Sequence, residues 1–518
     1  MHRLLVSLCV AAVAATAADE TGHCTGSAKA FAPGAGDWNG WGAEASNARY
    51  QAQPGLAAAD VPKLKLKWAF GFAGDMRAVG QPAVIGGRVF VGSYSGNVYS
   101  LDAATGCIYW SYDAGAIVRT GINVAQIKGA RGAGSQWIAY FGDGKGFAHA
   151  VDAQTGKGVW KVQMDQHPLA RITGTPVFSN GRVYVPVASG EELGSSQTPK
   201  YQCCTFRGSL AALDAATGKV VWKTYTVSDP PKQYKTNAEG TPMFGPAGAG
   251  VWSAPTIDIK RKRIYVGTGN SYTGIEISTS DAILGFDLDT GTLLWSSQVT
   301  PHDNWVPGCP KGVNCPENPG DDYDFGSSPV LRTVGGKEML LAGNKSGIVY
   351  GLDPDKRGAA VWKTRIGQGT GLMGGVAWGM AADEQTVYAA VADINRADGT
   401  PGLYALSIGT GAKLWSTPAP QGAGNPAQAA AVSAMPGIAF SESFGGRLRA
   451  YSTKTGEIVW DFDAKRDFDT VNKVAAKGGS FNGAGPAISR GMVIATCGYG
   501  FAGGQPGNVL LAFSPEGK

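Results

Sequence analysis

Asp322 and Asp324 stand two apart in the segment GDDYDFGSSPVL (320–331). In an extended stretch that spacing sends both carboxylates to one side, which suits oxygen ligation of a hard cation. The adjacent cysteines Cys203 and Cys204, in YQCCTFRG (201–208), are a second unusual pair. A bridge between chain neighbours closes a small strained ring and almost no chain entropy, so it serves a site more readily than it staples a fold. Cys309 and Cys315, in GCPKGVNCPENPG (308–320), have the spacing of an ordinary short disulfide loop. No CxxCH occurs, so no c-type haem is expected on this chain.

The elements that must position these groups are announced by an internal repeat. A β-rich run, an Asp or Ser, a Thr-Gly and an apolar run ending in Trp recur as LDAATGCIYW (101–110), VDAQTGKGVW (151–160), LDAATGKVVW (213–222) and FDLDTGTLLW (286–295). Looser copies are LDPDKRGAAVW (352–362), LSIGTGAKLW (406–415) and YSTKTGEIVW (451–460). Each reads as two strands around a tight turn: Asp caps it, Gly takes the positive φ, and the following strand ends in Trp. The tryptophans are 50, 62, 73, 67, 53 and 45 residues apart, the period of a propeller or solenoid. The ends decide between them. LLAFSPEGK at the C-terminus has the first half of a repeat, and Leu64-Lys65-Leu66-Lys67-Trp68 has the second half. Joined, they make an eighth unit, so the expected fold is an all-β, eight-bladed propeller whose first and last strands share a blade. The repeat tryptophans are core residues in this reading.

Composition agrees. The chain has 518 residues, 77 of them glycine, with 43% hydrophobic and only 16% charged residues and a formal charge of +5. That is a large β-rich core rather than a disordered chain, and the sparse mixed charge gives no footing for nucleic-acid binding. Residues 1–17 carry a weakly basic start, the apolar run LLVSLCVAAVAA and the small residues Ala15-Thr16-Ala17, the pattern of a secretory signal peptide. A single propeller domain over 18–518, exported to the periplasm and without a membrane span, is expected.

With the repeats in place, the chain resembles the quinoprotein alcohol dehydrogenases, eight-bladed propellers that bind pyrroloquinoline quinone (PQQ). The resemblance covers residues 36–518, and its overall flavour is that of the polyvinyl-alcohol dehydrogenase propeller, haem-free. It implies a site. VASGEELG (187–194) matches the family segment whose glutamate binds the metal, here Glu192, with Ser189 three residues before it; YVGTGN (265–270) supplies the ligand Asn270. AGVWSAPTID (249–258) supplies Trp252, the aromatic floor beneath the planar quinone. Arg119, Thr173 of ITGTP (172–176), and Lys345 of NKSGIVYGLD (344–353) are implied contacts of the quinone, which carries three carboxylates. Cys203, Cys204 and Arg207 are placed beside it, as a cover or at the substrate mouth.

TPHDNW (300–305) resembles the stretch that precedes the family's catalytic aspartate, but Val306 follows it and an insertion intervenes. Aligning across the insertion makes Asp322 the base and Asp324 the extra ligand of lanthanide-using relatives, with Asp303 as the alternative base. Three further departures stand out: Gly250 where the family has threonine, Ala114-Gly115 where it has its cysteine pair, and Ala377-Trp378 for its Asn-Trp. The implied activity is oxidation of a secondary or polymeric alcohol by PQQ with Ca²⁺ or a light lanthanide, electrons passing to an external acceptor such as a cytochrome c. The alternative is a non-catalytic propeller acting as a binding or assembly scaffold.

Overall fold

In the first repeat, Asp102 Oδ1 accepts the N–H groups of Ala104 and Thr105 and the Thr105 hydroxyl, each at 3.0 Å, while Gly106 takes a φ of +76°. This turn joins strands Asn97–Asp102 and Ile108–Asp113 in an antiparallel ladder. The computed structural model, which describes residues 21–26, 29–128, 134–369, 371, 373–422 and 424–517, repeats that unit around a ring. The signal-peptide segment lies outside the described residues.

Eight antiparallel sheets form the blades of a propeller. Their innermost strands, in chain order, are Ala83–Ile85, Asn123–Ile127, Val177–Ser179, Thr256–Asp258, Val330–Val334, Ala381–Ala382, Ser433–Met435 and Ala487–Ser489. The eighth blade is completed from the other end of the chain: Lys65–Gly71 pairs antiparallel with Val509–Ser514, from Lys65↔Ser514 to Gly71↔Val509. No edge is left open between first and last strands.

Trp68, Trp110, Trp160, Trp362, Trp415 and Trp460 lock each blade to the next. Their indole N–H groups donate, at 2.8–3.1 Å, to the carbonyls of Ala103, Ala153, Ala215, Ile408, Thr453 and Leu64 of the following blade. The turn glycine is the seat of the ring. A Cβ at Gly106 would lie 2.9 Å from Trp68, so this position needs glycine both for its φ and for its missing side chain.

The segment Trp38–Gln51 runs across the axis and ties the inner strands together. Trp38 exchanges backbone hydrogen bonds with Val84; the carbonyls of Ala45, Ser46, Ala48 and Arg49 accept the N–H groups of Ile257, Leu331, Ala382 and Ala434. Arg49 is fully buried, lies against the rings of Trp38 and Trp41, and donates to the carbonyls of Trp41 and Val432.

Three insertions pack into a cap at one side of the ring. They are the helix Glu191–Gln197 with the loop after it, the hairpin of Lys232–Thr236 and Pro242–Gly245, and the loop 306–320. Asn237 donates to Pro199 O at 2.8 Å and to Asn314 Oδ1 at 2.9 Å, tying all three. Disulfides join Cys203–Cys204 and Cys309–Cys315 within the cap, and Cys24–Cys107 pins the N-terminal segment to the first blade. Among the described residues no helix is long and apolar enough to cross a membrane.

Candidate active site

The loops that lead into the inner strands converge on a cavity of about 430 Å³, within the ~300–1,000 Å³ of small-molecule sites. Its wall includes Arg119, Thr173, Ser189, Glu192, Trp252, Asn270, Asp324 and Lys345, eight of the side chains singled out in the sequence, drawn from the entries to five different blades.

Trp252 has the surroundings of a floor. The ring of Trp378 stands edge-on to it, centroids 5.0 Å apart and planes at 85°, and Lys345 Nζ lies 5.4 Å from its centroid. The Thr173 hydroxyl donates to the Trp252 carbonyl at 3.3 Å, and a side chain at Gly326 would collide with the indole. Beneath Trp378 comes the axial segment: Trp41 Cζ2 lies 3.2 Å from where a Cβ of Gly379 would be.

Beside this floor three oxygen donors face one another. Asn270 is buried, and its amide nitrogen donates to the carbonyls of Ser271 at 2.9 Å and Trp305 at 2.7 Å, which leaves Oδ1 as the group to offer a ligand. Asp324 Oδ1 accepts the Asn270 backbone N–H at 2.7 Å, and its Oδ2 accepts Lys345 Nζ at 2.6 Å. Glu192 completes the set. Burial, and then the charge of Asp324, push its carboxyl up to about 7 against the opposing pull of Lys345 and Arg171. A carboxyl held up by dehydration and a like-charged neighbour is one that a cation would relieve.

Lys345 bridges two carboxylates, donating to Asp322 Oδ1 at 2.9 Å as well as to Asp324. Burial opposes its charge, but Asp322, Asp324 and Glu192 outweigh that and raise it above the ordinary lysine range. Asp322 is 1% exposed and does not border the cavity; it lies behind Lys345, and burial holds its carboxyl well above the usual range despite the lysine.

The remaining expected residues fall elsewhere. Asp303 Oδ1 and Oδ2 accept the backbone N–H groups of Asp322 at 3.0 Å and Tyr323 at 2.6 Å, so this side chain shapes the loop and does not border the cavity. Cys203 and Cys204 are fully buried in the cap with Met243 and Val306, and the disulfide does not border the cavity either. The insertion that carries the pair places it in a packed apolar core, one layer behind Tyr272. Arg207 lies 3.8 Å from the Tyr225 ring centroid and donates to the carbonyls of Val227 and Ser228, away from the cavity.

Other wall residues carried no sequence signal. Arg77 donates to the Tyr94 hydroxyl at 2.6 Å, and Arg171, Tyr499 and Phe501 complete that side. Asp281, fully buried, has no hydrogen-bond partner on either oxygen among the described residues, and burial with the charges of Asp303, Asp324 and Asp322 raises its carboxyl well above the usual range.

This fold and wall define a class. The family described as "Glucose/ethanol/alcohol dehydrogenase, beta-propeller domain" of the PQQ type matches residues 38–366, and that described as "Outer membrane protein assembly factor BamB" matches residues 345–510. The chain belongs to the PQQ-dependent alcohol dehydrogenase family and is a quinoprotein oxidoreductase. A polyvinylalcohol dehydrogenase of Pseudomonas sp is 46% identical over 499 residues, covering 93% of this chain and 77% of that protein. A polyvinylalcohol dehydrogenase of Sphingopyxis sp. (strain 113P3) is 42% identical over 510 residues, with the same two shares. Among solved structures, the quinohemoprotein alcohol dehydrogenase ADHIIG of Pseudomonas putida HK5 shares the fold, with a TM-score of 0.69 at 18% identity, over 93% of this chain and 81% of that one.

Proposed function

We propose that this enzyme oxidises secondary hydroxyls of a polymeric or bulky alcohol in the periplasm, using PQQ and a cation held in the cavity, and passes the electrons to an external acceptor such as a cytochrome c. The observation that carries the reading is the joint placement of Glu192, Asn270 and Asp324 beside Trp252, Lys345 and Arg119 around one cavity. Polyvinyl alcohol, an apolar chain of secondary alcohols, is the substrate named for the two relatives above. The three disulfides among the described residues support an oxidising compartment.

The residues present fit the cofactor. A planar quinone needs an apolar face, which Trp252 offers, and its carboxylates need cations, which Arg119 and Lys345 offer. The hard oxygens of Glu192, Asn270 and Asp324 are the donors a Ca²⁺ or light lanthanide ion takes. When bound, the quinone supplies the two-electron acceptor and the cation polarises its carbonyl.

The chain's own task is the proton. Asp322, Lys345 and Asp324 form a hydrogen-bonded unit of two carboxylates and one ammonium, net charge −1 with all three ionised, so it can accept one proton. Such a unit titrates as a whole. Asp322, with its raised affinity for a proton, is its basic end, and Asp324 is its face toward the substrate. Burial of this unit excludes water from the transfer.

The test is dye-linked oxidation. Purified protein is loaded with PQQ and Ca²⁺ or a light lanthanide and offered polyvinyl alcohol, secondary alcohols and methanol. Dye reduction with the polymer and secondary alcohols exceeding that with methanol supports the reading. No reduction with any metal and any alcohol overturns it.

A further inference from the structure

The charged side chains of the cavity wall do not balance. Arg77, Arg119, Arg171 and Lys345 face it against only Glu192 and Asp324, and Asp324 already holds Lys345. Arg77 is engaged with the Tyr94 hydroxyl, and Arg119 Cζ lies 4.6 Å from the Trp378 ring centroid. Arg171 is different. Among the described residues its side chain makes no hydrogen bond and no carboxylate lies within ion-pair distance of it.

Arg171 is nevertheless held in place. It ends the short strand Ala170–Arg171, which pairs with the end of strand Arg182–Ser189 through Arg171↔Ala188. Its guanidinium crosses Gly190, where any side chain would collide with it, and Gly190 immediately precedes Glu191 and Glu192. Its charge is felt at both Glu192 and Arg119, so it stands between the cation donors and the arginine already expected to meet the quinone. A fixed guanidinium without a partner, facing a cavity, is a preorganised site for a carboxylate.

We propose that Arg171 is a second carboxylate clamp for the tricarboxylated quinone, acting with Arg119, and that Gly190 is glycine so that Arg171 can reach it. This rests on the proposed cofactor. It also explains how a cavity with Gly250 and Ala377, positions at which the sequence departs from the resembled family, retains its grip on an anionic ligand.

The test is an equilibrium titration of the apoprotein with PQQ in Ca²⁺, followed by quenching of tryptophan fluorescence, with thermal unfolding to check the fold. Arg171→Gln should weaken binding roughly 10- to 100-fold, and Arg171→Lys by less, since a lysine keeps the charge but loses the planar fork. Gly190→Ala should weaken binding by pushing the guanidinium aside, and should add nothing in an Arg171→Gln background, because the two act through one contact. Affinity of the wild type should fall more steeply with salt than that of Arg171→Gln. Arg182→Gln, a surface change in the same blade, should bind like the wild type. Wild-type affinity in Arg171→Gln and Arg171→Lys would overturn the clamp while leaving the cofactor assignment standing, and so would unchanged affinity with a raised KM for alcohol, which would give Arg171 to the substrate. Absence of PQQ binding by the wild type would overturn both.

Discussion

Glu191 and Glu192 are neighbours in the chain with divided tasks. The Glu191 carboxylate is fully buried and accepts from the Tyr201 hydroxyl at 2.9 Å and from the N–H groups of Thr205 and Phe206 at 2.8 Å each, so it anchors the loop that carries Cys203–Cys204. Glu192 borders the cavity. Glu191→Ala leaves those donors buried without an acceptor and should destabilise by about 3 kcal/mol, seen in chemical denaturation. Glu192→Ala should leave stability near or above that of the wild type and abolish metal-dependent activity. The reverse pattern would exchange the two roles.

The raised Glu192 carboxyl gives stability a pH signature. Its value of about 7 lies above the 4.5 of an ordinary glutamate, so folding favours the protonated form. That contribution is fully present below about pH 4.5 and is lost as pH rises through about 7. Metal-free Glu192→Gln should therefore match the wild type at pH 4.5 and exceed it at pH 8, by about 2 kcal/mol. Denaturant titrations at the two pH values check this; a gap of the same size at both would show that Glu192 does not titrate between them.

Trp252 lies outside the ring of blade-locking tryptophans, and its contacts are to the cavity and Trp378. Trp252→Ala should lose PQQ binding by at least tenfold while the unfolding midpoint stays within a few degrees. Unchanged PQQ affinity in a fluorescence or absorbance titration would remove Trp252 from the site.

The acidic residues separate by position. Asp322→Asn should cut kcat by roughly 100-fold or more with either metal, since the proton-accepting unit loses its basic end. Asp324→Ala should cost lanthanide-supported activity more than Ca²⁺-supported activity, because a trivalent ion needs more negative ligand charge. Asp303→Asn keeps an oxygen to accept a backbone N–H from Asp322 or Tyr323 and should retain most activity. An active Asp322→Asn beside a dead Asp303→Asn would make Asp303 the base.

The ring was legible in the sequence because one local chemistry, an Asp-capped turn with a glycine under a tryptophan, recurs and carries its own period. The split repeat at the two ends even announced the Lys65–Gly71 and Val509–Ser514 pairing. The site residues that sit in short segments next to strands, Glu192, Trp252, Asn270 and Lys345, were legible for the same reason. What local pattern does not encode was missed. The axial segment Trp38–Gln51 has no strand period, because its backbone bonds go one by one to different blades. Arg171 reads as an isolated charge until Gly190 and Ala188 are brought beside it. The two cysteines announced their bond, but their depth in the cap depends on contacts with Phe244 and Val306 far along the chain.

The central claim is that Glu192, Asn270 and Asp324 hold a cation next to a quinone lying on Trp252. A crystal structure of the protein loaded with PQQ and a light lanthanide, with anomalous data collected at the metal edge, tests it most directly. The account predicts one strong anomalous peak about 2.3–2.6 Å from oxygens of all three residues, with the quinone plane over the Trp252 ring. A peak at any other set of ligands, or quinone density outside the cavity, would contradict it.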